Sequence, residues 1–211
     1  IKKQIDIMGL QPHPAFIVKA IQLFETQNVR FGVCIVGPTG SGKTTAYQVL
    51  QSAMTSLANN GSRGDKYDDV ILSTLNPKSV TMGELYGEFN SLSQEWRDGL
   101  ASTILRTYAA ENNSVRKWTV FDGPIDALWI ENMNTVLDDN MTLCLANGER
   151  IKLRDTMKCL FEVQDLEVAS PATVSRLGVM YMTPEHMKWR PYVKSWIDRS
   201  YGEIQKLNQT P

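Results

Sequence analysis

Phe31-Gly32-Val33-Cys34-Ile35-Val36-Gly37-Pro38-Thr39-Gly40-Ser41-Gly42-Lys43-Thr44-Thr45 is the stretch that decides the fold. Its first part, Phe31 to Val36, is a short apolar run that reads as a buried strand. The strand runs straight into Gly37 to Thr44, which matches G-x-x-x-x-G-K-[ST] in full. Tyr47, Val49, Leu50, Met54 and Leu57 then fall on a helical pattern from Lys43 to about Ala58. Strand, glycine-rich loop and helix, in that order, make a phosphate cradle. Glycines let backbone N–H groups converge on phosphate oxygens with no Cβ in the way. The helix N-terminus adds partial positive charge. Lys43 is placed to reach the β- and γ-phosphates, and the Thr44 hydroxyl can ligate Mg²⁺. Gly37, Pro38, Thr39, Gly40, Ser41, Gly42 and Thr45 complete the candidate nucleotide-binding loop. ATP or ADP with Mg²⁺ is the expected cofactor. A glycine-rich turn that binds nothing is the rival reading.

Working outward, apolar runs alternate with helical patterns. Upstream, Phe16, Ile17, Ala20, Ile21, Leu23 and Phe24 predict a helix from Pro14 to Thr26, with Pro14 suited to the first turn. Downstream strands are expected at Val70 to Leu75, Trp118 to Phe121, Cys159 to Val163 and Val179 to Met182. Asn59 to Asp65 reads as a loop and as the segment most prone to disorder. Thr81 to Phe89 reads as a short helix, with Thr81 and Glu84 spaced as a capping box. Ser93 to about Ala110 reads as one longer helix bent near Asp98-Gly99, and Ala127 to Leu137 as another. Asn147-Gly148 between Thr142–Leu145 and Arg150–Leu153 signals a hairpin. Ala172 to Arg176 is a helical turn. From Pro184 the pattern is helical, with Trp189, Tyr192, Val193, Trp196, Ile197 and Tyr201 on its apolar face. Strands alternating with helices predict an α/β fold: a three-layer sandwich on a five-stranded parallel sheet.

Enzymes that hydrolyse ATP on such a loop hold Mg²⁺ with a carboxylate at the end of a second strand. A second acid beside it readies the attacking water. Trp118-Thr119-Val120-Phe121-Asp122 supplies the first, so Asp122 joins Thr44 as a candidate metal ligand. The next residue is Gly123, which has no side chain. The site is therefore expected to hold Mg-nucleotide without its usual general base. Asp126 is the nearest alternative acid.

Bulk properties narrow the function further. The chain has 211 residues, 42% of them hydrophobic, enough for one sizeable core. Lys+Arg 22 against Asp+Glu 23 gives a formal net charge of −1, which argues against a dedicated nucleic-acid or membrane surface. Cys34, Cys144 and Cys159 show no metal spacing and read as buried free thiols of a reducing compartment. His13 and His186 read as solvated or capping residues, Trp189 and Trp196 as packing, and Asp138-Asp139 as a helix end or a solvated pair. The first residue is Ile1, not Met, which suggests a piece of a longer protein.

Several longer segments carry a more specific signal. Phe121-Asp122-Gly123-Pro124-Ile125-Asp126-Ala127-Leu128-Trp129-Ile130-Glu131-Asn132-Met133-Asn134-Thr135-Val136-Leu137-Asp138-Asp139-Asn140 closely resembles a signature of dynein heavy chains. So do Asn76-Pro77-Lys78, Leu85-Tyr86-Gly87, Glu95 to Gly99, Phe161 to Leu166 and Ser170 to Arg176. Among the six AAA+ modules of the dynein ring the resemblance is to the second, where Asp-Gly replaces Asp-Glu, and it looks closer to ciliary than to cytoplasmic forms. It implies an AAA+ large subdomain over 1–183 and the first helix of a small helical subdomain over 184–211. It implies a structural and regulatory site that binds ATP without efficient turnover. Arg176 would be an arginine finger serving the neighbouring module, and Gln164 or Asp165 the polar sensor ending the fourth strand. The hairpin at Asn147-Gly148 would be an insert that touches the moving linker. Implied partners are the adjoining modules and linker and, through the parent chain, microtubules and intermediate and light chains, in the axoneme of a cilium. An active NTPase and a nucleotide-free ring spacer are the competing functions.

Overall fold

The computed structural model describes residues 1–61 and 67–207. In chain order the elements are α1 (Lys2–Ile7), α2 (Pro14–Val29), β1 (Gly32–Val36), α3 (Lys43–Asn59), β2 (Val70–Leu75), α4 (Met82–Tyr86), β3 (Gly87–Phe89) and β4 (Trp96–Asp98). They continue with α5 (Leu100–Ala110), β5 (Arg116–Asp122), α6 (Ala127–Glu131), α7 (Asn134–Leu137), β6 (Thr142–Cys144) and β7 (Arg150–Lys152). The last are β8 (Met157–Val163), α8 (Pro171–Arg176), β9 (Gly178–Tyr181), α9 (Pro184–Met187) and α10 (Arg190–Leu207).

Five strands form one parallel sheet in the order β2-β5-β8-β1-β9. Alternate side chains feed a core on each face, as a strand period of two requires. On one face Val33, Ile35, Trp118, Val120 and Leu160 meet α2 and α3. On the other, Cys34, Phe121, Cys159 and Phe161 meet residues of α4 to α7. There Phe121 stacks on Phe161 at 5.2 Å and on Trp129 at 5.7 Å between ring centroids. The three-layer α/β sandwich expected from the sequence is therefore the fold.

The five expected strands are present, with ends that differ by up to two residues. The Thr81–Glu84 capping box forms in full, with the Thr81 hydroxyl accepting from Glu84 N and the Glu84 carboxylate accepting from Thr81 N. The 142–153 hairpin also forms, with Leu143 opposite Ile151.

Other expectations need correction. Ser93–Ala110 is not one bent helix: Trp96–Asp98 pairs antiparallel with Gly87–Phe89, and the helix begins only at Leu100. The edge-on contact of Phe89 with Trp96 at 5.1 Å shows why, since cross-strand aromatic pairing outweighs a weak helical pattern. For the same reason the helix from Thr81 stops at Tyr86. The 127–137 helix is split into α6 and α7, and the helix after Pro184 into α9 and α10. Cys144 is exposed, whereas Cys34 and Cys159 are buried and burial pushes both thiols up to about 12. Of the loop expected at Asn59–Asp65, residues 62–65 lie outside the described residues.

Arg106 on α5 joins the two hairpins. It binds both Asp98 oxygens, at 2.9 and 3.0 Å, and Glu149 beside the β6–β7 turn at 2.7 Å. Both carboxyls lie below their usual range because of the guanidinium.

The aromatic stack makes one expectation of stability. Trp129→Ala removes a buried ring that touches both phenylalanines and leaves a cavity. It is expected to cost about 3–5 kcal/mol in chemical denaturation, and a loss below about 1 kcal/mol would contradict the role given to the stack.

Candidate nucleotide-binding site

In open α/β sheets ligands bind outside the carboxyl ends of the strands, where the strand order reverses. Here that place lies beyond β1, which has β8 on one side and β9 on the other. The 37–44 loop leaves β1 at this point. Its conformation needs glycine for two separate reasons. A Cβ on Gly37 would lie 2.1 Å from the Met182 carbonyl oxygen, so only glycine lets the loop pass β9. Gly42 has φ of 90° and serves as the N-cap of α3, turning the chain into the helix. Two backbone bonds fix the loop's base: Gly37 N donates to Val163 O at 3.2 Å, and Met182 N donates to Val36 O at 2.7 Å.

Lys43 is buried, and its Nζ donates to Gly37 O at 2.7 Å and Pro38 O at 3.0 Å. The ammonium is thus held at the loop itself. Thr44, in the first turn of α3, donates its hydroxyl to Glu162, at 2.7 Å from Oε1 and 3.0 Å from Oε2. Glu162 on β8 pairs in register with Asp122 at the end of β5. Side chains at paired positions of adjacent strands share a face, so both carboxylates stand on the α3 side of the sheet. Burial raises the Glu162 carboxyl above its ordinary 4.5; the Asp122 charge adds to this, while the Thr44 bond and the Lys43 charge oppose it. Burial, with the charges of Glu162 and Asp122, also raises the neighbouring Tyr47 phenol.

These groups open into a cleft of about 840 Å³. Of the candidate residues, Thr39, Gly40, Gly42, Lys43, Thr44, Thr45, Asp122 and Gln164 line it. Gly37, Pro38 and Ser41 belong to the same loop but are not in the lining. Asp165 is not in the lining; its carboxylate accepts from Glu167 N at 3.3 Å in a local turn. Arg176 is also outside its own chain's cleft. Its Nε donates to Asp138 Oδ1 and its Nη1 to Ala172 O at 2.7 Å. Asp138 therefore does more than end a helix. Asp126 is engaged elsewhere: it caps α6 through Leu128 N at 2.8 Å and pairs with Lys78.

The sequence reading missed two parts of the site. One is Glu162, although a lone acid inside the apolar run Cys159–Val163 is a usable signal, since such groups are buried only with partners. The other is the far wall of the cleft. Gln11, His13 and Phe16 come from the N-terminal side, and Tyr192, Trp196 and Arg199 from α10. Gln11 Nε2 donates to Asp198 Oδ2 at 2.8 Å and straps these walls together. Tyr192 and Trp196 are 76% and 60% exposed, so the apolar face of α10 is not packed into the core as expected. His13 is the N-cap residue of α2, without a side-chain cap bond.

The donor set suits a magnesium nucleotide. Thr44 and Asp122 would offer oxygen ligands, which match a hard cation. Among the described residues no three His, Cys, Asp or Glu side chains converge as a metal site. Phosphate oxygens and water would complete such a cation's shell, as is usual for Mg²⁺.

The fold and loop together define a P-loop NTPase-type module. A family model described as "AAA domain (dynein-related subfamily)" matches residues 32–177, and the chain belongs to this family. A second model, "Hydrolytic ATP binding site of dynein motor region", matches residues 1–44, a span that ends at Thr44 and contains neither Asp122 nor Glu162. The chain is 54% identical over 208 residues to human dynein axonemal heavy chain 6, with 97% of the chain and 5% of that protein covered. It is 52% identical over 200 residues to mouse dynein axonemal heavy chain 1, covering 94% of the chain and 5% of that protein. With human dynein axonemal heavy chain 2 it shares 46% identity over 210 residues, 99% of the chain and again 5% of the relative. The chain thus spans about one-twentieth of the length of these curated relatives.

The Glu162 environment has a pH consequence. Because the fold raises this carboxyl, its uncharged form is favoured by folding; the contribution is full at acid pH and is lost as pH rises through the raised value. Glu162→Gln is therefore expected to raise the Tm relative to the parent at about pH 8, with the gain vanishing near pH 4. Thermal melts at both pH values test this, and a difference that does not change with pH would refute it.

Proposed function

We propose that this chain is the second AAA+ module of an axonemal dynein heavy chain, a regulatory site that holds Mg-ATP without efficient turnover. The observation that carries the reading is the surroundings of Gly123. A Cβ there would sit 2.7 Å from Asn76 Oδ1, the atom that also accepts from Lys78 N at 2.9 Å. The place where hydrolysing relatives of the fold station their water-activating acid thus carries no side chain of its own, and the Asn76 amide lies beside it. Among the described residues lining the cleft, the carboxylates are Asp122 and Glu162, and Glu162 is engaged by the Thr44 hydroxyl. The salt bridge and capping bond of Asp126 argue against it as a substitute base.

In this reading the loop amides and Lys43 bind the phosphates, Lys43 leaving the Gly37 and Pro38 carbonyls to do so. Thr44 and Asp122 hold Mg²⁺, and Gln164 is the polar sensor, favoured over Asp165 by its position in the lining. Residues 1–183 act as the large subdomain and residues from 184 onward as the start of a lid. Arg176 serves a neighbouring module as an arginine finger. Its position outside its own cleft supports a role in trans, and Asp138 and the Ala172 carbonyl restrain the guanidinium. The hairpin at Asn147-Gly148, to which Arg106 is tied through Glu149, is an insert that touches the linker. The names of the relatives support an axonemal setting, with microtubules and accessory chains reached through the parent.

Phosphate release by the purified chain is expected at background, with nucleotide retained and seen by mass spectrometry. Gly123→Glu, which supplies the missing acid once the exposed Asn76 side chain turns aside, is expected to raise phosphate release above that background. Rapid release abolished by Glu162→Gln would favour an active NTPase instead. In the full motor, Arg176→Ala is expected to slow hydrolysis at the adjoining module by up to about 10³-fold. Unchanged turnover there would discard the finger.

A further inference from the structure

Glu162 lies on a different strand from Asp122 and 118 residues from Thr44, yet it accepts the hydroxyl proton of the threonine that belongs to the cation site. The geometry is built. The carboxylate is buried, its two oxygens both lie within 3.0 Å of Thr44 Oγ1, and the β5–β8 register sets it directly opposite Asp122. A hydroxyl can offer a lone pair to a cation only if its proton points elsewhere. In this chain the elsewhere is supplied by Glu162.

We propose that Glu162 is a positioning residue of the cation site: by accepting the Thr44 proton it turns the threonine oxygen's lone pairs toward a Mg²⁺ shared with Asp122 and a bound nucleotide. The inference rests on the reading that the cleft takes Mg-nucleotide. It gives a reason for an acid inside an apolar strand, where an unpartnered charge would be costly. It also gives the acid on β8 a task other than readying water. Asp122 and Thr44 meet the cation, Glu162 orients Thr44, and no acid is left over at Gly123 to ready a water. The cation's contribution to nucleotide affinity therefore depends on Glu162, while the contacts of phosphates with the loop amides and Lys43 do not.

The test is the ratio of nucleotide affinities with and without Mg²⁺. ATP is titrated into the chain by calorimetry, in excess Mg²⁺ and in EDTA, for the parent, Glu162→Gln and Glu162→Ala. Loss of an outer partner of a metal ligand typically weakens metal affinity about 10- to 100-fold. The Mg²⁺-dependent gain is accordingly expected to fall by about tenfold in Glu162→Ala, with affinity in EDTA unchanged or improved. Glu162→Gln, which keeps one acceptor oxygen, should fall between the two. Mn²⁺ bound with ADP, followed by electron paramagnetic resonance, gives a second readout that needs no turnover. A merely structural Glu162 would lower affinity equally in both buffers, and that result overturns the proposal. So does an undiminished Mg²⁺ gain in both variants. Binding by the parent that ignores Mg²⁺ overturns the positioning role and leaves ATP binding standing, whereas no binding in either buffer removes the nucleotide reading with it.

Discussion

The parallel register of β1, β5 and β8 is the constraint on which the site depends. It aligns Val36 with Val163 and Asp122 with Glu162, so the loops leaving all three strands converge at one end of the sheet. A slip of one residue in β8 would exchange its two faces. Phe161 would then point at α3, and Glu162 would enter the aromatic stack with Phe121 and Trp129. The stack that fills one face of the sheet and the carboxylates that serve the other are consequences of the same pairing. Burial of the stack is what makes the register expensive to change.

Charge at the carboxyl end of the sheet is arranged in self-contained pairs. Lys43 is held by two loop carbonyls, Glu162 by Thr44, and Asp126 by Lys78 and a helix N-terminus. The first two satisfy buried polar groups that would otherwise be costly to shield from water, while the third is partly exposed. They differ in how readily they yield to a ligand. The carbonyls that hold Lys43 are weak competitors for an ammonium against phosphate oxygens, because charge-assisted bonds are the stronger ones. Opposite, the Gln11–Asp198 bond ties the N-terminal segment to α10. Being exposed and single, it can open at small cost, which suits a wall that must admit a ligand.

Arg176 and Arg106 illustrate two uses of one side chain. Arg106 is held by two carboxylates on separate hairpins and so ties them together. Arg176 is restrained at Nε by Asp138 and at Nη1 by a carbonyl, away from its own cleft. Exposed ion pairs add little stability on their own. Their value here lies in geometry, since each holds a guanidinium in a defined position.

What the sequence determined by itself was local. The loop from Gly37 to Thr44, its flanking strand and helix, the Thr81–Glu84 cap, the Asn147-Gly148 hairpin and Asp122 were all readable because each is a short run whose chemistry stands alone. Where two local signals competed, as at Trp96–Asp98, the contact with Phe89 decided, and that partner is visible only in the fold. The pairing of Glu162 with Thr44 and the approach of Asn76 to Gly123 were likewise set by tertiary structure, as was the far wall contributed by Phe16, Trp196 and Arg199. Each joins residues remote in the chain through strand register or helix docking. No spacing along the sequence encodes such distances, because they are set by how whole faces are buried against one another.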